Sequence, residues 1–389
     1  ISLTFYFSNI LAGPILGIIV VIGFIMFFIS LIFIPLATPI AFILNIMLKF
    51  IIKIAEITAS IPFSKILITT PSIFFIAIWY IIIFLIVYRK KVKEVYLKNK
   101  RKINVIVSIT LVVLIILNLV ININRPLKIY FIDVGQGDSC LIVTPSNKRI
   151  LIDGGGSEFG SFDVGEKILT PYLLDRKIKK LDYIIISHFD SDHVGGILNV
   201  IQNIKVDKII ICKQGKNSEN YKKFLNIIKE KKIEVYVVKD KNKIEIEQDT
   251  FFYILHPTGD LISDNILNNN SIVMKFCYKN FSMLFTGDIE EIAENELIKR
   301  YENSNILRST VLKVGHHGSK TSSTGSLLNK VKPKIALIGV GSKNTFGHPN
   351  NGVLDRLKKL KCKIYRTDLN GEIILTIDKN SKIHINTMF

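Results

Sequence analysis

Cysteine is scarce in this chain and never clustered. Cys140, Cys212, Cys277 and Cys362 include no CxxC pair, and each lies in or beside an apolar run. That spacing argues against a zinc knuckle or a disulfide framework and predicts buried free thiols. Acid is also short: 32 Asp and Glu face 51 Lys and Arg, a net charge of +19. No internal repeat and no low-complexity tract stands outside the apolar runs. No signal peptide is recognisable, and the sequence opens on Ile1, so a fragment lacking its N-terminal part is expected.

Polar residues are nearly missing from parts of the first third, and mean hydropathy is +0.36. Residues 15 to 34 hold one polar side chain, Ser30. A helix needs about 20 residues to cross a hydrocarbon core. Pro71 to Tyr88 and Ile103 to Ile121 are of similar length and uncharged. Pro39 to Glu56 carries Lys49, Lys53 and Glu56, and is read as spanning, lying at the interface or lining a polar path. Asn104, Ser108, Thr110 and Asn118 are read as helix–helix hydrogen-bonding groups. Between two of these spans, Arg89 to Lys102 sets eight basic residues against Glu94 alone. A short loop of that charge stays cytoplasmic. The next span then leads outward, so a multi-pass protein of the cytoplasmic membrane is expected, with everything from residue 127 on its outer side.

Residues 1 to 126 are thus a transmembrane helical region, with 12 Lys and Arg against 2 acids, and residues 127 to 389 a soluble domain, with 39 against 30. A basic domain suits a polyanion through counterion release. Much of its lysine, as in Lys222 to Lys232, reads equally as a solvated helix face. From Leu127 short apolar strands alternate with turns and helical stretches, a pattern of two sheets flanked by helices. Strands are expected at Ile150–Ile152, Tyr183–Ile186, Phe281–Phe285 and Val311–Val314 among others. The last is Ile373–Ile377.

The chemistry sits at the ends of those four strands. His188-Phe189-Asp190-Ser191-Asp192-His193 places four metal-ligand side chains within six residues, followed by Gly195-Gly196. Side chains packed that tightly would repel or stay unsatisfied without a cation. Asp153-Gly154, Gly287-Asp288 and His316-His317-Gly318-Ser319 end the other three. In open α/β sheets such ends share one site.

This constellation resembles the metallo-β-lactamase superfamily, whose signature is His-x-His-x-Asp-His. Asp190 stands where most members carry histidine, a form similar to a subgroup that includes phosphodiesterases. The resemblance covers about residues 127 to 389, and extends to Phe131-Ile132-Asp133-Val134-Gly135-Gln136-Gly137-Asp138-Ser139 and Phe346-Gly347-His348-Pro349. With the membrane segment ahead of it, the chain resembles the C-terminal part of ComEC-type DNA-uptake competence proteins.

The resemblance implies an αββα sandwich after transmembrane helices, and two divalent metal ions bridged by Asp288. His188 and Asp190 would hold one ion; Asp192, His193 and His317 the other. The family's third histidine on the first ion is missing from Asn268-Asn269-Asn270-Ser271, and His256 reads as a capping or packing residue. Three aspartates among the ligands favour manganese, with zinc as second choice. Asp153 would orient a ligand histidine from behind. His316, His348 and Asp192 form the catalytic set; Ser319, Lys320 and His348 contact phosphate. Thr321 to Ser323 read as a helix start. Asp133 and Asp138 flank a tight turn walling the site and are not taken as ligands; His384 reads as structural.

The implied function is DNA internalisation in natural competence: a nuclease degrades one strand of incoming DNA while the other enters. Its partners would be DNA, the membrane and other competence DNA-uptake proteins. Two alternatives stay open. One is hydrolysis of another surface phosphodiester, such as a phosphocholine ester. The other is a non-catalytic module that guides DNA, which the missing histidine keeps in play.

Overall fold

Apolar runs form helices in the first third of the chain and strands in the rest. A computed structural model describes residues 2–123, 125–156, 162–213 and 218–389, the side chains of 118–123 excepted. Asn118, expected to bond between helices, therefore lies outside the described side chains. The chain divides into two units, Ile1–Thr69 and Thr70–Phe389.

In the first unit α1 (Phe5–Ile32) packs on α2 (Ile34–Ser60). The expected span 15 to 34 is interrupted at Phe33, whose backbone is extended (φ −150°, ψ 94°). Pro35, in the first turn of α2, explains the break: it suits a helix start but could not continue α1. Lys53 and Glu56 of α2 pair at 3.1 Å.

The second unit opens with α3 (Ile73–Val87) and α4 (Arg89–Ile123). Ser72 caps α3, its Oγ accepting from the Phe75 amide at 3.1 Å. The basic run Arg89–Lys102, expected as a loop, is helical and forms the first half of α4. Lys and Arg are good helix formers, and charge alone does not unwind them. Asn99 breaks the helical geometry (φ −124°, ψ 23°). Two of the groups expected to bond between helices bond within α4 instead: Thr110 donates to Ile106 O, and Tyr96 donates to Asn104. Among the described residues α1 alone is long and apolar enough to cross a membrane, or α1 and the α3–α4 pair if that pair, bent by 92°, is one span.

From Leu127 the chain builds a sheet from β1 (Leu127–Phe131), β2 (Cys140–Val143), β3 (Arg149–Ile152), β4 (Lys180–Ile185), β5 (Lys205–Cys212) and β6 (Glu234–Val238). A second sheet takes β7 (Lys243–Glu247), β8 (Thr250–His256), β9 (Val273–Tyr278), β10 (Phe281–Phe285), β11 (Val311–Lys313), β12 (Ile335–Ile338) and β13 (Lys363–Arg366). β14 (Ile373–Ile377) and β15 (Ile383–Thr387) return to the first, giving the orders β15-β14-β1-β2-β3-β4-β5-β6 and β13-β12-β11-β10-β9-β8-β7. β3 to β6 are parallel, as are β10 to β13. Helices α5 (Thr170–Asp175), α6 (Ser191–Asn203) and α7 (Glu219–Lys231) follow strands of the first sheet. α8 (Glu291–Arg300), α9 (Gly325–Val331) and α10 (Asn351–Lys359) follow strands of the second, and α11 (Thr367–Asn370) is one turn.

Period-two alternation sorts the side chains. Met283 and Phe285 enter the core between the sheets with Phe131, Ile185, Phe252 and Phe276. Leu284 and Leu312 face the other way, onto Leu297 of α8, Leu327 of α9 and Leu357 of α10. The result is the αββα sandwich the resemblance implied. β7 and β15 escape sequence pattern because each is a sheet edge with few apolar residues. All four cysteines are unbridged, and three are buried.

The first turn of α6 lies directly on the loop after β3. A Cβ at Gly196 would come within 2.1 Å of Gly154 O, and one at Gly156 within 1.8 Å of Ser191 O. That contact sets the height of His193. Gly196→Ala should therefore cost about 1–3 kcal/mol through overpacking and weaken divalent-metal binding. Circular-dichroism melting and metal analysis on one preparation check this; wild-type values for both would refute the contact's role.

Candidate metal centre

β3 and β4 belong to one sheet, β10 and β11 to the other, and the loops after all four meet at one edge of the sandwich. From the first sheet come Asp153 and the His188–His193 run, which ends in the first turn of α6. From the second come Asp288 and the His316-His317 turn. Both histidines of that turn have left-handed backbones (φ 47° and 53°). Such geometry costs of the order of 1–3 kcal/mol per residue and persists only where neighbours over-determine it. Here Ser322 Oγ donates to Gly315 O at 2.7 Å, Ser323 Oγ accepts from Gly315 N at 3.1 Å, and His317 Nδ1 donates to Gly339 O at 2.8 Å.

That last bond aims His317 Nε2 into the site. It lies 3.3 Å from His193 Nε2, 3.2 Å from Asp288 Oδ2 and 3.0 Å from Asp192 Oδ2. His193 Nε2 is 3.2 Å from the same Asp288 oxygen. Ligands about 2.0–2.1 Å from a tetrahedral ion stand about 3.3 Å apart, so His193, Asp288 and His317 are spaced to share one divalent cation, and their ligand atoms together with one of Asp138 all lie within 4.8 Å of one another. Asp153 Oδ2 holds His193 Nδ1 at 3.0 Å, and its own position is set by the Ser187 amide and hydroxyl at 2.8 and 2.7 Å. His188, fully buried, leaves Nε2 without a hydrogen-bond partner among the described residues; the nearest carboxylate, Asp190 Oδ2, is 3.6 Å away. Its ring lies against that of His193, tilted by 48° with centroids 4.1 Å apart.

Burial pulls the pKa of both imidazoles down, yet carboxylates override it. Asp288 and Asp153 hold His193 well above the ordinary range, and Asp288 and Asp138 push His317 up to about 10. Burial would raise Asp288, but His193, His317 and Lys313 hold it well below the usual carboxylate range. The carboxylates draw positive charge to this pocket, as protons on histidine or as metal.

Sequence reasoning missed Lys313. It ends β11, is fully buried, and its Nζ donates to Gly287 O at 2.8 Å and to Asp288 Oδ1 at 3.1 Å, with Asp138 as close third partner. Burial lowers its pKa, but Asp138 and Asp288 outweigh that and keep the ammonium charged. Asp288 thus turns one oxygen to the histidines and the other to a lysine. A lone lysine in the apolar run Val311–Val314 was the available signal. Asp138 lies farther from the imidazoles, 3.9 Å from His193 Nε2 and 3.8 Å from His317 Nδ1. It is the lysine's counter-ion and, although sequence reasoning leaves it out of the ligands, it also stands with His193, Asp288 and His317 in the buried group able to hold a metal ion; Asp133 is exposed, capping the Gly135 amide.

The remaining expected groups are spread around this core. His316 stands 3.5 Å from Glu290 Oε1, and burial lowers its pKa. His348, its ring 5.8 Å from that of His316, is held down to about 4, by burial first and then by the His316 and His317 charges. Ser319 is buried with its hydroxyl on Thr321, while Lys320 is exposed. Thr321 to Ser323 do not start a helix; they fold under the histidine turn, and Thr324 caps α9. In Asn268–Ser271, Asn269 accepts from Glu290 N, Asn270 ties the loop at Ile262, and Ser271 Oγ accepts from Asp288 N at 3.2 Å. His256 Nε2 donates to Asn269 O at 2.7 Å. His384 is exposed on β15.

Residues 132–341, over half the chain, match the family model described as Metallo-beta-lactamase superfamily, and the chain belongs to that superfamily. A model described as Competence protein matches residues 1–93. ComE operon protein 3 of Bacillus subtilis is 34% identical over 257 residues, 63% of this chain and 32% of that protein. Recombination protein 2 of Haemophilus influenzae is 33% identical over 242 residues (62% and 28%), and Competence protein ComA of Neisseria gonorrhoeae 30% over 245 (62% and 31%). The chain spans about a third of the length of these relatives. A competence-protein segment followed by a metallo-β-lactamase domain is the combination expected from the resemblance to ComEC-type proteins.

Lys313→Met leaves Asp138 and Asp288 buried with no ammonium between them. It should cost about 3–5 kcal/mol, as removing one side of a buried ion pair does. Adding Asp138→Asn should recover much of the loss. Thermal unfolding of the parent, single and double variants reads this out; an unchanged Lys313→Met midpoint would mean the charges are balanced elsewhere.

Proposed function

We propose that this chain is a membrane-borne part of the DNA-uptake machinery of natural competence, and that its metallo-β-lactamase domain is a metal-dependent phosphodiesterase degrading one strand of incoming DNA. The observation that carries this reading is the convergence of Asp192, His193, Asp288 and His317 in a chain whose first 93 residues match a competence protein. The net positive charge of residues 127 to 389 supports a polyanionic substrate.

His188 and Asp190 would hold one ion and Asp192, His193 and His317 the other, with Asp288 between them. Charge supports two ions: Asp138, Asp153, Asp190, Asp192 and Asp288 face a single ammonium, Lys313, an excess that two divalent cations would cancel. The carboxylate share of the donors favours manganese over zinc. Bound there, divalent cations supply Lewis-acid charge to a phosphodiester and lower the pKa of water. The chain's own groups do the rest. Gly339 O fixes His317 through Nδ1, and Asp192 stands 3.0 Å from its Nε2. His316, whose pKa burial lowers and whose Nδ1 lies 3.5 Å from Glu290, can exchange a proton with a reacting oxygen or donate a hydrogen bond to phosphate. His348, its ring 5.8 Å from that of His316, and the exposed Lys320 would contact phosphate, and Ser319 would have to leave Thr321 to join them. One observation favours the non-catalytic alternative, a module that only guides DNA: Asn268–Ser271 are engaged in structural bonds, so the first ion has fewer protein ligands.

The full chain in detergent should cut labelled single-stranded DNA with bound metal. His317→Ala should lose both metal and cleavage, with partial rescue by excess manganese. His316→Ala should keep its metal and lose about 10²–10⁴-fold in rate, without rescue. Near-normal cleavage by His316→Ala would remove its catalytic role, and a wild-type chain that binds metal and DNA but never cuts would favour the guiding module.

For location, we infer a multi-pass segment over residues 1 to 126 in the cytoplasmic membrane, followed by an extracytoplasmic domain from 127 to 389, where it would meet DNA and other uptake proteins. The basic first half of α4 supports this, since such charge stays inside. Ser381→Cys should then react with a membrane-impermeant thiol reagent in intact cells. Labelling only after permeabilisation would reverse the orientation.

A further inference from the structure

Beside the metal-ligand group lies a cavity of about 290 Å³, of whose lining the catalytic assignments use only Asp192. Asp192 forms part of its wall; Phe162, Phe346, Lys343, Gln136 and Val164 line the rest. Four aromatic side chains are exposed among the described residues of 127–389, namely Phe162, Tyr236, Phe346 and Phe389, and two of them line this one cavity. Phe162 is 52% exposed and Phe346 49%. A large apolar side chain held at a cavity mouth gains little for folding, which points to a use in binding.

The segment bearing Phe346 is a built platform. Asn344 Nδ2 donates to Gly341 O and to His348 O, both at 2.9 Å, and its Oδ1 accepts from His348 N at 3.0 Å. Gly341 N in turn donates to Gln136 Oε1 at 3.3 Å, tying the segment to the turn after β1. On this frame the Phe346 and His348 rings lie nearly parallel, 17° apart with centroids at 6.0 Å. The His348 ring lies 5.8 Å from that of His316, and Phe346 lines the cavity. Lys343 adds a positive charge on the same wall.

We propose that this cavity is a nucleobase subsite: an unpaired base stacks on Phe346 and against Phe162, Lys343 meets the neighbouring backbone phosphate, and the strand then runs past Asp192 to the metal-ligand group. A base in a duplex is already stacked and paired and cannot enter, so the subsite selects single strands. Sequence-tolerant aromatic stacking beside a cation is how single-stranded nucleic acid is held elsewhere. The proposal deepens the phosphodiesterase reading, on which it rests for the position of the scissile bond but not for binding.

The test is fluorescence anisotropy with the full chain in detergent and metal chelated, so that no strand is cut. The probes are a labelled oligothymidylate, an abasic oligomer of the same length and a duplex. Wild type should bind the oligothymidylate about tenfold tighter than the abasic oligomer, and tighter than the duplex. Phe346→Ala and Phe162→Ala should each lose most of that discrimination, and Phe346→Trp should retain it. Equal binding of the oligothymidylate and abasic oligomers by wild type, or undiminished discrimination in Phe346→Ala, would overturn the subsite. A chain that discriminates bases yet cuts nothing would sink the phosphodiesterase reading alone; one that cuts without discriminating would sink the subsite alone.

Discussion

Negative charge buried at the mouth of the sandwich is the constraint on which the rest of the site depends. Asp138, Asp153 and Asp288 are each under 5% exposed, and Asp192 joins them from the first turn of α6. Carboxylates packed this closely, away from water, are tolerable only with positive charge among them. The chain supplies one permanent cation, Lys313, and two imidazoles whose affinity for protons the carboxylates raise. That arrangement is poised to exchange protons for a divalent cation, because a ligating imidazole must be neutral and its carboxylate partners ionised.

Local structure serves this balance. The close approach of Gly154 and Gly156 to α6 sets the height of His193, and the left-handed backbone at His316 and His317 turns one ring into the site and the other to its rim. Bonds from Ser322, Ser323 and Gly339 hold that turn. Ser271 holds the amide of Asp288. In each case a residue outside the His/Asp group determines where one of its atoms sits.

The site also requires both sheets. Asp153 and the His188–His193 run come from the first, Asp288, Lys313 and the histidine turn from the second, and the inter-sheet core of Phe131, Phe252, Phe276 and Phe285 fixes their separation. Parallel strands on each side bring their carboxyl ends to a common edge, so short loops suffice to deliver every member of the His/Asp group. The same edge carries the Phe346 segment and the turn after β1, which frame the neighbouring cavity.

Much of this was legible along the chain. The spacing of His188, Asp190, Asp192 and His193 shows itself because ligands one or two residues apart at a strand end must share a locality, and apolar runs of strand length display β4, β10 and β11 by period alone. The basic run at Arg89–Lys102 shows its charge but not its helical form, since charge and backbone conformation are set by different physics. What no local pattern contains is a pairing across the core. Lys313 and Asp138 are 175 residues apart and meet only because β11 and the turn after β1 lie in facing sheets. Thr321 to Ser323 look like a helix start until the histidine turn claims the hydroxyls of Ser322 and Ser323 and Glu290 that of Thr321, and Asn268 to Ser271 look like a lost ligand until they are seen bracing Asp288. The sequence by itself determined which chemistry is present and on which strand ends. Only the tertiary structure decided which carboxylates gather around His193 and His317 and which of them also meet a lysine, because that depends on the packing of two sheets whose partners are remote in the chain.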